Sequence, residues 1–137
     1  MTATPDQSGL ALYSRAGNSA STRQLSSALP TRLRFIVREN GGTVDVPMAL
    51  EVIIGRRNST LPIDVDLAPY EAAELGVSRQ HIKLEAVEDR ILASDLDTVN
   101  GSCLNGVKMT PRHVYPIEHG DVLKLGRLHL IVQFVFD

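Results

Sequence analysis

The chain of 137 residues has one cysteine, no tryptophan and only 4% aromatic residues. Cys103 cannot form a disulfide within the chain, and none of the four histidines stands at zinc-ligand spacing from it. No hydrophobic run is long enough to span a bilayer, and the N-terminus lacks the pattern of a secretory signal. We therefore expect a cytoplasmic protein that uses no metal, cofactor or disulfide and has no membrane contact.

The sequence also has no excess of positive charge, since 14 Lys and Arg face 16 Asp and Glu and the net charge is −2. Non-specific nucleic-acid binding needs a basic face that makes many phosphate contacts. We therefore expect no nucleic-acid partner. A single phosphate group needs only a local cluster of cations, such as Arg56, Arg57 and Arg79.

The first 30 residues differ in composition from the remainder of the chain. They are rich in serine, contain Pro5 and Pro30, and have no sustained hydrophobic periodicity, which predicts a flexible N-terminal tail over 1–30. Some apolar residues in 24–29 could dock on the domain that follows. Residues 31–137 have enough hydrophobic residues for one core and are predicted to form a single domain.

Hydrophobic residues in this domain alternate over short stretches. Leu33, Phe35 and Val37 alternate with Arg32, Arg34, Ile36 and Arg38 before a Gly-Gly turn, which predicts a strand with one buried face. A short helix is predicted near 69–75, because good helix formers follow Pro69 and precede Gly76. Many short strands and no long helix predict an all-β fold, a two-sheet antiparallel β-sandwich. Further strands are predicted at 50–55, 63–67, 82–85, 91–93, 103–104, 114–115, 122–125 and 128–136.

Three polar runs begin where predicted strands end. They are Gly55-Arg56-Arg57, Ser78-Arg79-Gln80-His81, and the run from Asp95 to Gly106 that contains two Asn-Gly pairs. Together they offer guanidinium, hydroxyl and amide groups. An oxyanion such as phosphate is bound by that combination of donors, so these loops are the candidate binding site.

In order and spacing, these runs resemble the motifs of the forkhead-associated (FHA) domain, a module that binds phosphothreonine in partner proteins. The resemblance covers roughly residues 32–137 and includes the closing run from Gly120 to Gly126. It implies two twisted sheets with a peptide site in the loops at one end. It also implies a non-enzymatic interaction module, whose partner is a phosphothreonine-containing protein and which acts downstream of a Ser/Thr kinase.

The resemblance also assigns roles to individual residues. Arg56 corresponds to the main phosphate clamp and Ser78 to a hydroxyl donor, while Arg79 either adds a second cation or points to solvent. Thr98 keeps a hydroxyl where serine is usual, and Asn100 corresponds to the residue that hydrogen-bonds the peptide backbone.

The residues expected to support the site are Gly55, His81, Gly101 and Asn105. Gly55 is expected to let the backbone turn sharply after its strand, and His81 to hold the Ser78 loop in place. The turn at Asn105 is expected to brace the Asn100 loop, with positive φ values at Gly101 and Gly106.

Other interpretations remain open at the level of sequence. Val99 stands where the family often has a threonine that touches the peptide, which favours a scaffold or oligomerisation domain acting without phosphate. Ser78, His81 and Asp95 or Asp97 could instead form the triad of a hydrolase, although nothing indicates a pocket or oxyanion donors. Asn100 could be only a turn residue before Gly101.

The N-terminal tail contains a possible regulatory site at Thr22, in the run Ser21-Thr22-Arg23. If a kinase phosphorylated Thr22, the tail could dock into the site of its own domain or of a neighbouring molecule. Thr2 and Thr4 are competing sites. The alternative is that the tail serves only as a linker.

Overall fold

The computed structural model describes residues 24–58 and 60–137, so Thr22 and most of the predicted tail lie outside the described residues. The described residues form two β-sheets, which confirms the predicted all-β sandwich. Leu29 is 6% exposed and Pro30 is buried, so the packed part of the chain begins before Thr31. Within this part of the chain, no helix is long and apolar enough to cross a membrane.

Six strands form the first sheet. In chain order they are β1 (Arg32–Val37), β2 (Thr43–Pro47), β7 (Ser102–Leu104), β8 (Val107–Lys108), β10 (Val122–Leu125) and β11 (Leu128–Val135). Their order across the sheet is β2-β1-β11-β10-β7-β8. The apolar β11 pairs antiparallel with both β1 and β10 and therefore lies near the middle of this sheet.

Five strands form the second sheet. They are β3 (Glu51–Gly55), β4 (Val65–Asp66), β5 (Ile82–Val87), β6 (Arg90–Asp95) and β9 (Tyr115–Ile117). Their order is β4-β3-β5-β6-β9, and every pair is antiparallel except β3 with β4. Pro116 lies in the edge strand β9, a position where proline, which lacks an N–H, is tolerated in a sheet.

The core lies between the sheets because side chains alternate along each strand. In β1, Leu33, Phe35 and Val37 are fully buried, while the residues between them are half-buried on the outer face. Leu84 and Ile54 approach from the second sheet and belong to the same hydrophobic cluster. Burying these apolar side chains is the main stabilising contribution to such a fold.

The structure differs from the sequence-based prediction in four elements. Strands β2 and β8 were not predicted, and the predicted strand 63–67 shortens to the two residues of β4. The helix near 69–75 is a single 3-10 turn, Ala68–Tyr70, which ends where Glu71 adopts a φ of 67°. Leu67 and Ala72 on either side of it are fully buried, so this segment also contributes to the core.

Loops from both sheets meet at one end of the sandwich, which we call the binding end. It contains residues 55–57, 76–81, 95–101 and the turn 126–127. Backbone hydrogen bonds join these loops: Arg56 N–H donates to Ser78 O, and Gly126 N–H donates to Gly101 O at 3.0 Å. The opposite end, here the far end, contains the turn 88–89, residues 116–118 and residues 134–136.

Candidate functional site

The three polar runs meet at three consecutive residues, 76–78. Asn100 Nδ2 donates to Gly76 O at 3.0 Å, and Arg56 Nε donates to Val77 O at 2.7 Å. Ser78 N–H donates to His81 Nδ1 at 2.9 Å. One short loop therefore holds the side chains that the sequence analysis selected from separate parts of the chain.

Arg56 is half-buried and fixed at both its backbone and its side chain. Its backbone N lies 3.2 Å from Ser78 O and 3.2 Å from Arg79 O, and its Nε donates to Val77 O. Among the described residues, its terminal Nη1 and Nη2 have no hydrogen-bond partner. The four N–H groups on these two atoms remain in the fork geometry that binds an oxyanion in bidentate fashion.

Gly55 allows this arrangement by its lack of a side chain. A Cβ at Gly55 would lie 2.1 Å from Arg79 O, a distance that no real contact permits. The sequence suggested that this glycine makes a sharp turn. The structure shows a different reason for this glycine. Gly55 ends a regular strand, and it is required because the backbone of the 78–79 loop passes directly against it.

Two further donors belong to residues 78 and 79, whose backbone carbonyls accept from Arg56 N–H. Ser78 is half-buried, and neither its hydroxyl nor the exposed Arg79 guanidinium has a side-chain partner in residues 24–58 and 60–137. Arg57, by contrast, has its Nε 3.6 Å from Asp66 Oδ2. Within the described residues, Arg56 and Arg79 of the predicted cation cluster have no carboxylate partner, whereas Arg57 is engaged with Asp66.

His81 is fully buried beneath these loops. Because its Nδ1 accepts from Ser78 N–H, the ring proton is on Nε2, which donates to Gly101 O at 2.9 Å. Burial of the ring lowers the pKa of His81 below its ordinary value, although the Gly101 carbonyl and the Asp95 carboxylate oppose this. Both ring nitrogens are used in joining two loops, so His81 is not placed as a base for the Ser78 hydroxyl. The triad that was considered as an alternative is therefore not formed by these residues.

Asp95 accepts several hydrogen bonds in the same buried region. Its carboxylate accepts from Thr98 N–H at 3.0 Å, Thr98 Oγ1 at 2.7 Å and Ser102 Oγ at 2.5 Å. Burial alone would raise the pKa of Asp95, but the hydrogen bonds from Ser102 and Thr98 outweigh it and hold the pKa below its ordinary value. Asp95 is therefore ionised and fixes the start of the 95–101 loop.

Thr98 lies inside this loop. Its hydroxyl donates to Asp95 and accepts from Gly101 N–H at 3.1 Å, with His81 Nε2 a further 3.3 Å contact. Gly101 has a φ of 75°, which a residue with a side chain adopts only with strain. The Thr98 hydroxyl is thus occupied by contacts that hold the loop in shape.

Asn100 and Val99 form the exposed tip of the loop. The Asn100 amide nitrogen is bound to Gly76 O, whereas its Oδ1 has no partner among the described residues and can accept a hydrogen bond. The Val99 side chain is 95% exposed directly beside it. The tip therefore presents one polar acceptor and one apolar side chain to solvent.

Asn105 lies away from these groups. Its Nδ2 donates to Asp121 Oδ1 at 3.1 Å, and its Oδ1 accepts from Val122 N–H at 2.9 Å. It joins the β7–β8 turn to the start of β10, and its contacts do not brace the Asn100 loop as the sequence suggested. Gly106 beside it has a φ of 83°, in the left-handed region as predicted.

Sequence analysis missed the roles of three residues. Asp95 and Ser102 form the buried acceptor and donor pair under the site, and Gly76 provides the carbonyl that holds Asn100. The signal for Asp95 was present, because an Asp three residues before a Thr in a loop is suited to cap the local backbone. In the described ranges, 24–58 and 60–137, no group of three or more His, Cys, Asp and Glu side chains is arranged to hold a metal ion.

Comparison with known proteins agrees with this geometry. The sequence profile of the FHA domain matches residues 52–126, which is more than half of the chain. The chain therefore belongs to the FHA domain family.

One similar protein of known sequence is Protein FraH of Nostoc sp., which is 29% identical over 104 residues. The match covers 75% of this chain and 35% of FraH, so the chain spans about a third of the length of that relative.

Solved structures resemble the whole sandwich. The FHA domain of an Arabidopsis thaliana hypothetical protein superimposes with a TM-score of 0.67 at 23% identity, covering 85% of this chain and 96% of that one. An FHA domain solved in work on phosphothreonine-dependent FHA domain interactions has a TM-score of 0.58 at 26% identity, covering 76% and 97%.

Proposed function

We propose that this chain is a non-enzymatic module that binds phosphothreonine-containing segments of a partner protein. The observation that supports it most directly is the meeting of Arg56, Ser78 and Asn100 at residues 76–78. The phosphothreonine-dependent interactions named for one similar FHA domain support the same function.

The phosphate chemistry fits the free groups of the site. A phosphothreonine carries about −1.5 to −2 charge near pH 7 and offers three acceptor oxygens. In this proposal Arg56 Nη1 and Nη2 bind two of these oxygens and the Ser78 hydroxyl binds the third, while Arg79 contributes a second positive charge. Hydrogen bonds to charged groups are worth roughly 1.5–3 kcal/mol each, enough to make binding depend on the phosphate.

Asn100 has a separate role in the proposal. Since its amide nitrogen is held by Gly76 O, its free Oδ1 is oriented to accept from a backbone N–H of the bound peptide. That Thr98 touches the peptide stays a prediction. We propose that Thr98 acts through the loop, because its hydroxyl already has partners in Asp95 and Gly101.

The setting of this activity is part of the same proposal. A Ser/Thr kinase would create the ligand, and binding would couple kinase activity to assembly of a protein complex. The cytoplasmic location and the docking of a phosphorylated Thr22 into the site stay predictions, and Thr22 lies outside the described residues.

The test uses a peptide library, since it needs no knowledge of the partner. A phosphothreonine flanked by randomised residues is titrated against the protein, and the unphosphorylated library serves as the matched control. We expect saturable binding of the phosphorylated library and none of the control. Equal binding of both libraries would overturn the proposal.

The second candidate is a scaffold that associates without phosphate, and the exposure of Val99 favours it. An apolar side chain that is 95% exposed at the tip of a well-held loop is suited to a dry protein contact. In that case Val99→Ser should weaken association with the partner, and phosphatase treatment of the partner should have no effect. Loss of association on phosphatase treatment would exclude this candidate.

A further inference from the structure

The outer face of the six-stranded sheet carries a row of basic residues next to the binding end. Register pairs Lys108 with Cys103, Cys103 with Lys124, and Lys124 with His129. Arg38 continues the row, since its N–H donates to His129 O at 2.9 Å. We call Lys108, Lys124, His129 and Arg38 the basic row. Neighbouring strands are about 4.8 Å apart, so the row crosses the sheet almost at right angles to the strands.

The side chains of the basic row point away from the core. Lys124 lies between the fully buried Leu123 and Leu125, and His129 lies between the fully buried Leu128 and Leu130. Side chains alternate between the two faces of a strand, so Lys124 and His129 are on the outer face. Lys108 is exposed and precedes the buried Met109, which places it on the same face.

Two residues of the basic row, Lys108 and Lys124, are the ones nearest the binding end. Farther along the row, His129 Nδ1 contacts Glu39 Oε2 at 2.5 Å. Lys108 and Lys124 have no ion-pair partner among the residues that the structure describes. Elsewhere on the same sheet Arg34 and Arg32 pair with Asp45 at 2.8 and 3.2 Å, so unpaired charge is a property of this row and not of the face as a whole.

The Lys108 end of the basic row adjoins the peptide site. A Cβ placed on Gly101, directly after Asn100, would lie 4.0 Å from Lys108 Cε. On the same outer face, the next row of side chains farther from the binding end is apolar and consists of Ile36, Ile131 and Val122. A segment that leaves the site past Asn100 therefore meets Lys108 first and Lys124 second.

We propose that Lys108 and Lys124 bind acidic residues that flank the phosphothreonine in the partner, an inference that rests on the proposed function. The two lysines are two strands apart, roughly 9.6 Å. In an extended segment, residues three apart are separated by about 10 Å. The basic row thus fits two carboxylates at positions i and i+3 of an extended acidic flank.

Affinity measurements with three phosphothreonine peptides test this inference. The first is the best sequence from the library with neutral flanks, and the others carry Glu at two positions three residues apart, either before or after the phosphothreonine. Exposed ion pairs are weak, so we expect one acidic peptide to bind about three- to tenfold more tightly than the neutral one at low salt. This gain should shrink at high salt.

Charge-reversal variants identify the residues responsible. Lys108→Glu and Lys124→Glu should abolish the gain for the acidic peptide while leaving the affinity for the neutral peptide within about twofold. Arg90→Glu is the matched control, because it changes the net charge equally but lies in the far end, and it should keep the gain.

The outcomes separate the two proposals. If the neutral phosphopeptide binds and neither acidic flank improves affinity, the basic-row inference fails and the phosphothreonine site stands. Equal loss of the gain in the Arg90→Glu and lysine variants would also overturn it, since the effect would then be one of net charge. If no phosphopeptide binds, both proposals fall.

Discussion

The two ends of the sandwich are built in different ways. Beneath the loops of the binding end lie His81, Asp95 and Ser102, three of the four buried polar or charged residues in the described part of the chain. The far end has instead a groove of about 360 Å³. Its lining is largely apolar and consists of Ala28, Leu29, Pro30, Asp89, Arg90, Ile91, Pro116, Ile117, Glu118, Phe134 and Phe136.

This difference shows that the binding end has a cost in folding free energy, which keeps its loops in a fixed conformation. A buried polar group destabilises the fold unless it is fully hydrogen-bonded, and a network that is fully bonded becomes rigid. At the binding end each buried group fixes an exposed one: His81 holds the Ser78 loop, and Asp95 holds the loop that ends in Asn100. The loops that carry the Ser78 hydroxyl and the Asn100 side chain are therefore held in shape before a ligand binds.

The largest expected effect is on ligand binding by Arg56→Ala. Loss of two charge-assisted hydrogen bonds, about 3–6 kcal/mol together, should reduce phosphopeptide binding below detection. Arg56→Lys should rescue poorly, because it keeps the charge and loses the fork. Isothermal titration calorimetry checks both.

Arg90→Ala, an exposed arginine of the far end, is the matched control and should bind as wild type does. Binding by Arg56→Ala within a few-fold of wild type would remove Arg56 from the site and with it the distinction between the two ends.

Next in size is the effect of Asp95→Ala on stability. It leaves Thr98 N–H, the Thr98 hydroxyl and the Ser102 hydroxyl without their acceptor, and should lower the free energy of unfolding by about 3 kcal/mol. Asp45→Ala, which removes only surface ion pairs, should cost less than about 1 kcal/mol. Chemical denaturation measures both, and similar values for the two variants would contradict the role of the buried network.

A smaller effect concerns pH. The folded-state pKa of His81 is lowered, so the unfolded state takes up a proton first as the pH falls below about 6.5. Stability should therefore be full above this pH and fall toward pH 5.5, by at most about 1.4 kcal/mol per pH unit. His81→Asn has no titrating ring and should show a flatter dependence between pH 7.5 and 5.5. Parallel pH profiles for the two proteins would count against a buried neutral His81.

The smallest expected effect is a preference for phosphothreonine over phosphoserine. If the threonine methyl is enclosed between the 76–81 and 97–101 loops, its burial adds about 0.8 kcal/mol, or roughly fourfold in affinity. Matched peptides that differ only by this methyl group provide the measurement. Equal affinities would mean that the loops fix the phosphate without enclosing the side chain.

Much of the fold was predictable from the alternation of apolar residues, which identified β1, β3, β5 and β11. The sequence of strand β2 does alternate, since Val44 and Val46 are half-buried and pack against the core. The strand was missed because it is short, ends in Pro47 and lies at the edge of the sheet. The strand β8 has only two residues, both exposed. Its pairing with β7 depends on the neighbouring strand and not on its own sequence.

The candidate site was predictable as a set of residues but not as an arrangement. Arg56, Ser78 and Asn100 could be selected by residue type, whereas their common attachment to residues 76–78 joins positions more than 20 residues apart. The role of Gly55 was misjudged for the same reason. A glycine is needed at position 55 because the backbone carbonyl of Arg79 lies against it in the folded chain, although Arg79 is distant in sequence.

The contrast between the two ends is tested most directly by mapping backbone amide chemical shifts by NMR during titration with a phosphothreonine peptide. We predict that the amide signals of residues 55–57, 76–81 and 97–101 shift with the phosphorylated peptide and not with its unphosphorylated twin. Signals of residues 88–90 and 116–118 should stay in place with both peptides. Phosphate-dependent shifts confined to the far end, or identical shifts with the two peptides, would contradict the assignment of the binding end as the phosphothreonine site.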